Sequence, residues 1–251
     1  MSGHSKWKTI QHKKGAMDAK RGQLFSKLSK ELMVVAKRGG GNPDTNPALR
    51  AVIQKARSAN MPMENIMRAI KKGTGELEGA TAFEEVVYEG YAPGGVAAIV
   101  VALTDNKNRT AAEIRHVFTR HKANMAAQGA VLRNFERKGQ IFVDASTVDE
   151  DKLLDIVLNA GAEDMRRDGD NFEILTQPSA FSEVVEALNK AGIKPVSAEI
   201  ALVPLSYVTI SDKATASATM SFISELEDMD DVQNVYTNMD IPDEILNSLN
   251  K

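Results

Sequence analysis

GQIFVDASTVDEDKLLDIVLNAGAEDMRRDGDNFEILTQPSAFSEVVEALNKAGIKPVSAEIALV, residues 139–203, alternates between short β-type runs and longer helical patterns. The β-type runs are Ile141–Val143, Glu163–Arg167, Phe172–Leu175 and Val196–Leu202. The helical patterns are Val148–Asn159 and Ser179–Ala191, and a glycine closes each one, Gly161 and Gly192. The order is strand, helix, strand, strand, helix, strand, the split βαβ plan of ferredoxin-like sheets.

On the upstream side lie Phe83–Tyr88 and Val96–Leu103, rich in Val, Ile and Tyr, with Pro93-Gly94-Gly95 as the turn between them. A helix from about Asn108 to Lys122 follows, with Ile114, Val117 and Phe118 on one face. On the downstream side come a strand (Tyr207–Ile210), a helix (Ala214–Leu226) and a strand (Val232–Tyr236). These three are expected to complete the fold that Phe83–Lys122 opens. The expected organisation is therefore an α+β multidomain chain. A discontinuous α/β domain, 76–130 plus 205–251, carries an inserted ferredoxin-like βαββαβ domain, 131–204.

Farther out, residues 1–75 form a basic arm and a three-helix bundle. Leu24, Phe25, Leu28, Leu32, Val35 and Ala36 recur at three- and four-residue steps. Gly39-Gly40-Gly41 stops that helix. Asn46 with Pro47 reads as the cap and first turn of a second helix, carrying Leu49, Val52, Ile53 and Ala56. Pro62 with Glu64 opens a third, carrying Ile66, Met67 and Ile70, and Gly73 is expected to end it. Residues 1–17 hold four lysines and little apolar content besides Trp7 and Ile10, too little to offset the entropy of ordering them alone.

Charge is sorted along the chain. Residues 1–72 hold 16 Lys+Arg and 4 Asp+Glu, a net +12, while residues 73–251 hold 15 and 30, a net −15. The basic part is suited to phosphate backbones, and the acidic part is repelled by them. With no cysteine, disulfides and thiolate chemistry are excluded. The N-terminus shows no secretory signal, and no run approaches the roughly 20 apolar residues of a membrane span, so a cytoplasmic protein is expected.

Enzyme signatures are missing. His4 and His12 lie in the arm, where a catalytic group could not be held in place. His116 and His121 do not have the i, i+4 spacing of a zinc pair. Gly39-Gly40-Gly41 lacks the Lys-Ser/Thr of a phosphate loop, and Lys72-Gly73-Thr74-Gly75 sits at the wrong end of a helix dipole. Glu225, Glu227, Asp228, Asp230 and Asp231 read as a solvated acidic face. No catalytic residue, metal or cofactor is expected.

Three features point to binding instead. In the arm, Trp7 between Lys6 and Lys8 either stacks on an unpaired base or packs onto the bundle. Lys13, Lys14, Lys20, Arg21, Lys27 and Lys30 form a series that can track a phosphate backbone. In TDNKNRT, Thr104–Thr110, a helix start offers free N–H groups, with Lys107 and Arg109 adding charge. The bland alternative makes Asp105 and Asn108 simple turn and cap residues. Residues 107–138 hold eight basic and two acidic residues, which suggests a second contact surface.

Several of these stretches, in this order and spacing, resemble the YebC family. They are GHSKW (Gly3–Trp7), DAKRG (Asp18–Gly22), NPDTNPALR (Asn42–Arg50), NMP (Asn60–Pro62), AIKKGTG (Ala69–Gly75), YEGYAPGGVA (Tyr88–Ala97) and TDNKNRT. The resemblance spans essentially the whole chain. It implies an N-terminal helical domain, a middle domain and an inserted ferredoxin-like domain. It also implies a nucleic-acid-binding regulator of gene expression, and with enzyme signatures missing a non-enzymatic protein, acting as a monomer, is expected. The family is described as transcriptional regulators, which favours DNA. Its mitochondrial relatives are translational activators of cytochrome oxidase subunit synthesis. The alternative is therefore a ribosome-associated translation factor that contacts ribosomal RNA or transfer RNA and relieves stalling at proline-rich stretches. One segment departs from the pattern. HKANMAAQGAVLRNF, His121–Phe135, replaces a glycine-rich turn and keeps only Gly129.

Overall fold

The computed structural model describes residues 17–78 and 82–249. It shows a mixed α+β chain whose sheets pair antiparallel, apart from one two-stranded parallel pair. The lysines and tryptophan of the arm, Lys6, Trp7, Lys8, Lys13 and Lys14, lie outside the described residues.

The bundle consists of α1 (Met17–Gly39), α2 (Pro47–Ser58) and α3 (Met63–Thr74). Its core is Leu28, Leu32, Leu49, Ile53, Ile66 and Ile70, with smaller residues between them. Asn46, buried, holds the first corner. Its Oδ1 accepts from the Leu49 N–H (3.1 Å), and its Nδ2 donates to the carbonyls of Val35 (3.0 Å) and Gly40 (2.9 Å). One amide thus caps the start of α2 and ties down the end of α1. Gly40 turns the chain there at φ 85°. The third helix runs one residue past the expected stop at Gly73, and Gly75 closes it in the left-handed region. Gly73 serves another purpose: a Cβ there would lie 2.4 Å from the Met33 carbonyl oxygen. It lets α3 lie directly on α1, with the C-terminal ends of both helices side by side.

The body, residues 82–249, holds two four-stranded sheets. The first uses β1 (Glu84–Tyr91), β2 (Ala97–Thr104), β3 (Asn124–Met125) and β9 (Val232–Thr237), in the order β3-β1-β2-β9. β9 pairs with β2 from Ala98↔Thr237 to Ala102↔Val232, although the second sheet lies between them in sequence. Helices α4 (Lys107–Arg120) and α7 (Lys213–Glu227) cover one face. Ala98 and Val100 meet Ile114, Phe118, Phe222 and Ile223 there, and Phe118 and Phe222 pack edge to face at 4.9 Å. On the other face Ala97 and Ile99 meet Val131, Phe135 and Leu202. β2 is therefore buried on both sides, as its unbroken apolar run suggests.

The second sheet uses β4 (Phe135–Asp144), β5 (Ala162–Asp168), β6 (Asn171–Thr176) and β7 (Ser197–Pro204), in the order β5-β6-β4-β7. Every neighbouring pair is antiparallel. Helix α5 (Glu150–Asn159) links β4 to β5 with β6 between them, and α6 (Phe181–Lys190) links β6 to β7 with β4 between them. Both helices pack on one face, over Ile141, Val143, Phe172 and Ile174. β4 begins six residues before the expected Ile141, because Phe135–Gln140 pairs with Glu199–Pro204. The chain closes with β8 (Val208–Thr209), β10 (Met239–Asp240) and α8 (Asp243–Leu249). Among the described residues no helix is long and apolar enough to cross a membrane, and no group of three or more His, Asp or Glu is arranged to hold a metal ion.

Candidate nucleic-acid interface

Gln23, Lys27, Lys30, Val34 and Lys37 recur at steps of four and three, which places them on one stripe of α1. That stripe meets the turn after α7. Gln23 Nε2 donates to the Asp228 carbonyl, and Lys27 Nζ donates to the Glu227 carbonyl at 2.5 Å. Lys30 Nζ donates to the Asp230 carbonyl (2.9 Å) and to Asp231 Oδ1 (2.7 Å). The carbonyls at the end of α7 have no partner inside their helix and sit at the negative end of its dipole, so ammonium groups suit them. Burial pushes the Lys27 ammonium below its ordinary pKa, against the pull of Glu227, Asp228 and Asp230.

Asp231 joins this contact to the body, and its side chain is only 8% exposed. Its Oδ2 accepts from Arg109 (2.7 Å) and from the Thr110 hydroxyl (2.8 Å), and Thr110 also meets Thr104 at 2.8 Å. Burial alone would raise the Asp231 carboxyl. Hydrogen bonds from Lys30, Arg109 and Thr110 outweigh that and hold it well below the usual carboxylate range.

TDNKNRT therefore already faces an anion, a carboxylate of the same chain. Asn106, not Asn108, caps α4 by accepting the Arg109 N–H at 3.1 Å. Lys107 pairs with Glu84 at 2.5 Å, and Arg109 also pairs with Asp105 at 2.9 Å. The acidic run is also less solvated than its composition suggests. Glu225 binds Arg120 (2.6 Å) and His121 (2.7 Å), and the carbonyls of 227, 228 and 230 serve the bundle.

Of the remaining series, Lys20 lies in α1, and Arg21 is exposed, with its guanidinium 5.4 Å from the Phe25 ring centroid. Another group of cations was not singled out by the spacing. Lys37 and Arg38 lie in the last turn of α1, and Lys71 and Lys72 in the last turn of α3. The close approach at Gly73 brings these two helix ends together. Among the described residues none of the four has an ion pair. The doublets Lys37-Arg38 and Lys71-Lys72 at two adjacent C-termini were the signal available.

The departing segment 121–135 is held by one buried carboxylate. Glu89, 3% exposed, accepts the backbone N–H groups of Gly129 (2.5 Å), Val131 (2.7 Å) and Leu132 (2.8 Å). Burial would raise this carboxyl, and the three N–H donors more than offset it, leaving it below its ordinary value. Nearby cations Lys122, Arg133 and Arg137 are exposed and, among the described residues, lack ion pairs.

Comparison with known proteins agrees over the whole chain. A family model described as the TACO1/YebC protein N-terminal domain matches residues 5–76, and one described as the TACO1/YebC second and third domain matches residues 83–239. A "Probable transcriptional regulatory protein" of Dictyoglomus turgidum is 55% identical over 99% of this chain and 100% of its own length. A protein of the same name from Syntrophus aciditrophicus is 51% identical over 99% of both. The crystal structure of a conserved hypothetical protein from Aquifex aeolicus superposes with a TM-score of 0.83 at 52% identity, covering 91% of this chain and 94% of that one.

Proposed function

The chain belongs to the TACO1/YebC family, relatives in which carry the name "Probable transcriptional regulatory protein", and on that premise we propose that it is a non-enzymatic regulator that binds DNA through its helical bundle. The observation that carries this is the group Lys37, Arg38, Lys71 and Lys72: four cations at two adjacent helix ends, without ion pairs among the described residues. Arg21, Lys20 and the arm residues Lys6, Trp7, Lys8, Lys13 and Lys14 extend the contact along the backbone. Lys122, Arg133 and Arg137 offer a second, weaker one. Lys27, Lys107 and Arg109 belong to internal contacts in the free protein.

On this reading the protein works as a cytoplasmic monomer without a cofactor. Its domains are 1–75, the discontinuous 76–130 plus 205–251, and the inserted ferredoxin-like 131–204. The β5-β6-β4-β7 order, with each helix crossing over one strand, supports the last of these.

The test is a salt series. The log of the duplex-binding constant should fall linearly with log salt, with a slope of roughly −3 to −7 for about 4–8 phosphate contacts. Replacing Lys37, Arg38, Lys71 and Lys72 by alanine should make the slope shallower by about 3, with melting unchanged. A slope near zero for the unmodified protein would sink the proposal. Sedimentation with ribosomes in place of promoter enrichment would move the target from DNA to ribosomal RNA.

A further inference from the structure

We propose that the turn Glu227–Asp231 is an internal stand-in for the phosphate backbone, occupying the Gln23–Lys27–Lys30 stripe in the free protein and displaced from it when nucleic acid binds. This rests on the nucleic-acid reading above and concerns how that site is regulated. The hydrogen bonds of the stripe all go to oxygens, the carbonyls of Glu227, Asp228 and Asp230 and one oxygen of Asp231, and Lys30 also lies over the Phe83 ring, 5.5 Å from its centroid. An ammonium group donates to a phosphodiester oxygen in the same geometry, and the phosphodiester carries a full charge where a carbonyl carries a partial one. From Lys27 to Lys37 the stripe runs about 15 Å along the helix axis, so a freed stripe leads directly into the cation group at the end of α1.

Two features make the contact releasable. The bundle closes its own core, and among the described residues no apolar cluster joins it to the body; Val34 is the stripe's buried apolar residue. The docking is thus mainly charge on oxygen, the kind of contact that salt and polyanions weaken. Asp231, moreover, is not orphaned when Lys30 leaves, because Arg109 and Thr110 still hold its other oxygen within the body. Undocking strands no buried carboxylate. It frees Lys27 and Lys30 for a polyanion.

The chain has no cysteine, so Gln23→Cys with Asp228→Cys supplies two unique thiols across the contact. A short thiol-reactive crosslinker that reductant cleaves would tether the bundle in its docked position. With a fluorescein-labelled random-sequence duplex as probe, the tethered protein should bind about tenfold more weakly, as expected for losing two phosphate contacts, and cleavage should restore binding. In the unmodified chain, adding duplex should speed amide hydrogen exchange across residues 227–232. Equal affinity before and after cleavage, or exchange there that is unchanged or slowed, would overturn the displacement and leave the nucleic-acid reading standing. If neither form binds, both fall.

Discussion

The bundle and the body carry nearly equal numbers of cations, 16 in residues 1–72 and 15 in residues 73–251, yet they use them differently. In the body, Lys107, Arg109, Arg120, Lys138, Arg166 and Lys190 each sit on a carboxylate of the body itself, while Lys122, Arg133 and Arg137 have no ion pair among the described residues. In the bundle, Lys55 and Arg68 pair with Glu31 and Glu64 of the bundle, and Lys30 reaches a carboxylate of the body. The cations at the ends of α1 and α3 have no such partner among the described residues. Capacity for an external polyanion is therefore set by which cations lack an internal anion, and a count of lysines does not reveal it.

The bundle differs from the body first in being a unit of its own. Leu32 is fully buried in the bundle core. Leu32→Ala should cost about 3 kcal/mol, and hydrogen exchange should rise within residues 17–78 while the sheets of the body stay protected. Uniform loss of protection across both regions would show that the two fold as one.

A second change sharpens the contrast from the body's side, where carboxylates hold structure. Glu89→Gln swaps one acceptor for an amide NH₂ facing N–H donors, and should destabilise by about 2 kcal/mol. The carboxyl is depressed in the folded chain, so its contribution is present above the ordinary carboxylate range. That contribution is lost as pH falls through that range towards the lower folded value. Thermal melts across an acid series should converge for the two proteins. A constant gap between them would contradict this sign.

The smallest effects belong to the body's paired surface cations. Arg120→Ala and Lys138→Ala should each change stability by less than about 0.5 kcal/mol. Duplex affinity by titration should stay within about twofold, since neither cation is free to meet a phosphate. A tenfold loss from either would put the nucleic acid on the body.

Much of this architecture was legible in the residues. The change from a period of 3.6 to one of 2 after Gly75 marks the end of the bundle, and Asn46-Pro47 announces a capped helix start. Two-residue strands such as Asn124–Met125 carry no period and stayed hidden. The contact of Lys27 and Lys30 with the body stayed hidden for a related reason. Periodicity shows that Lys27 and Lys30 point away from the bundle core, but it cannot tell water from a second domain. A lysine satisfies either with the same long stem. Glu89 was invisible because its partners are backbone amides some forty residues away, which leave no trace in side-chain pattern.

The pairing of β9 with β2 has a consequence for synthesis. β2 leaves the ribosome with one edge paired to β1 and the other unfilled, and its partner Val232–Thr237 follows about 130 residues later. At about 5–20 residues per second that edge waits roughly 7–25 seconds. The bundle draws its core from residues before 75 and has no such delay. The turn at 227–231 that covers Lys27 and Lys30 is also made late, so every new molecule passes through an interval in which its bundle is complete and those lysines are still uncovered.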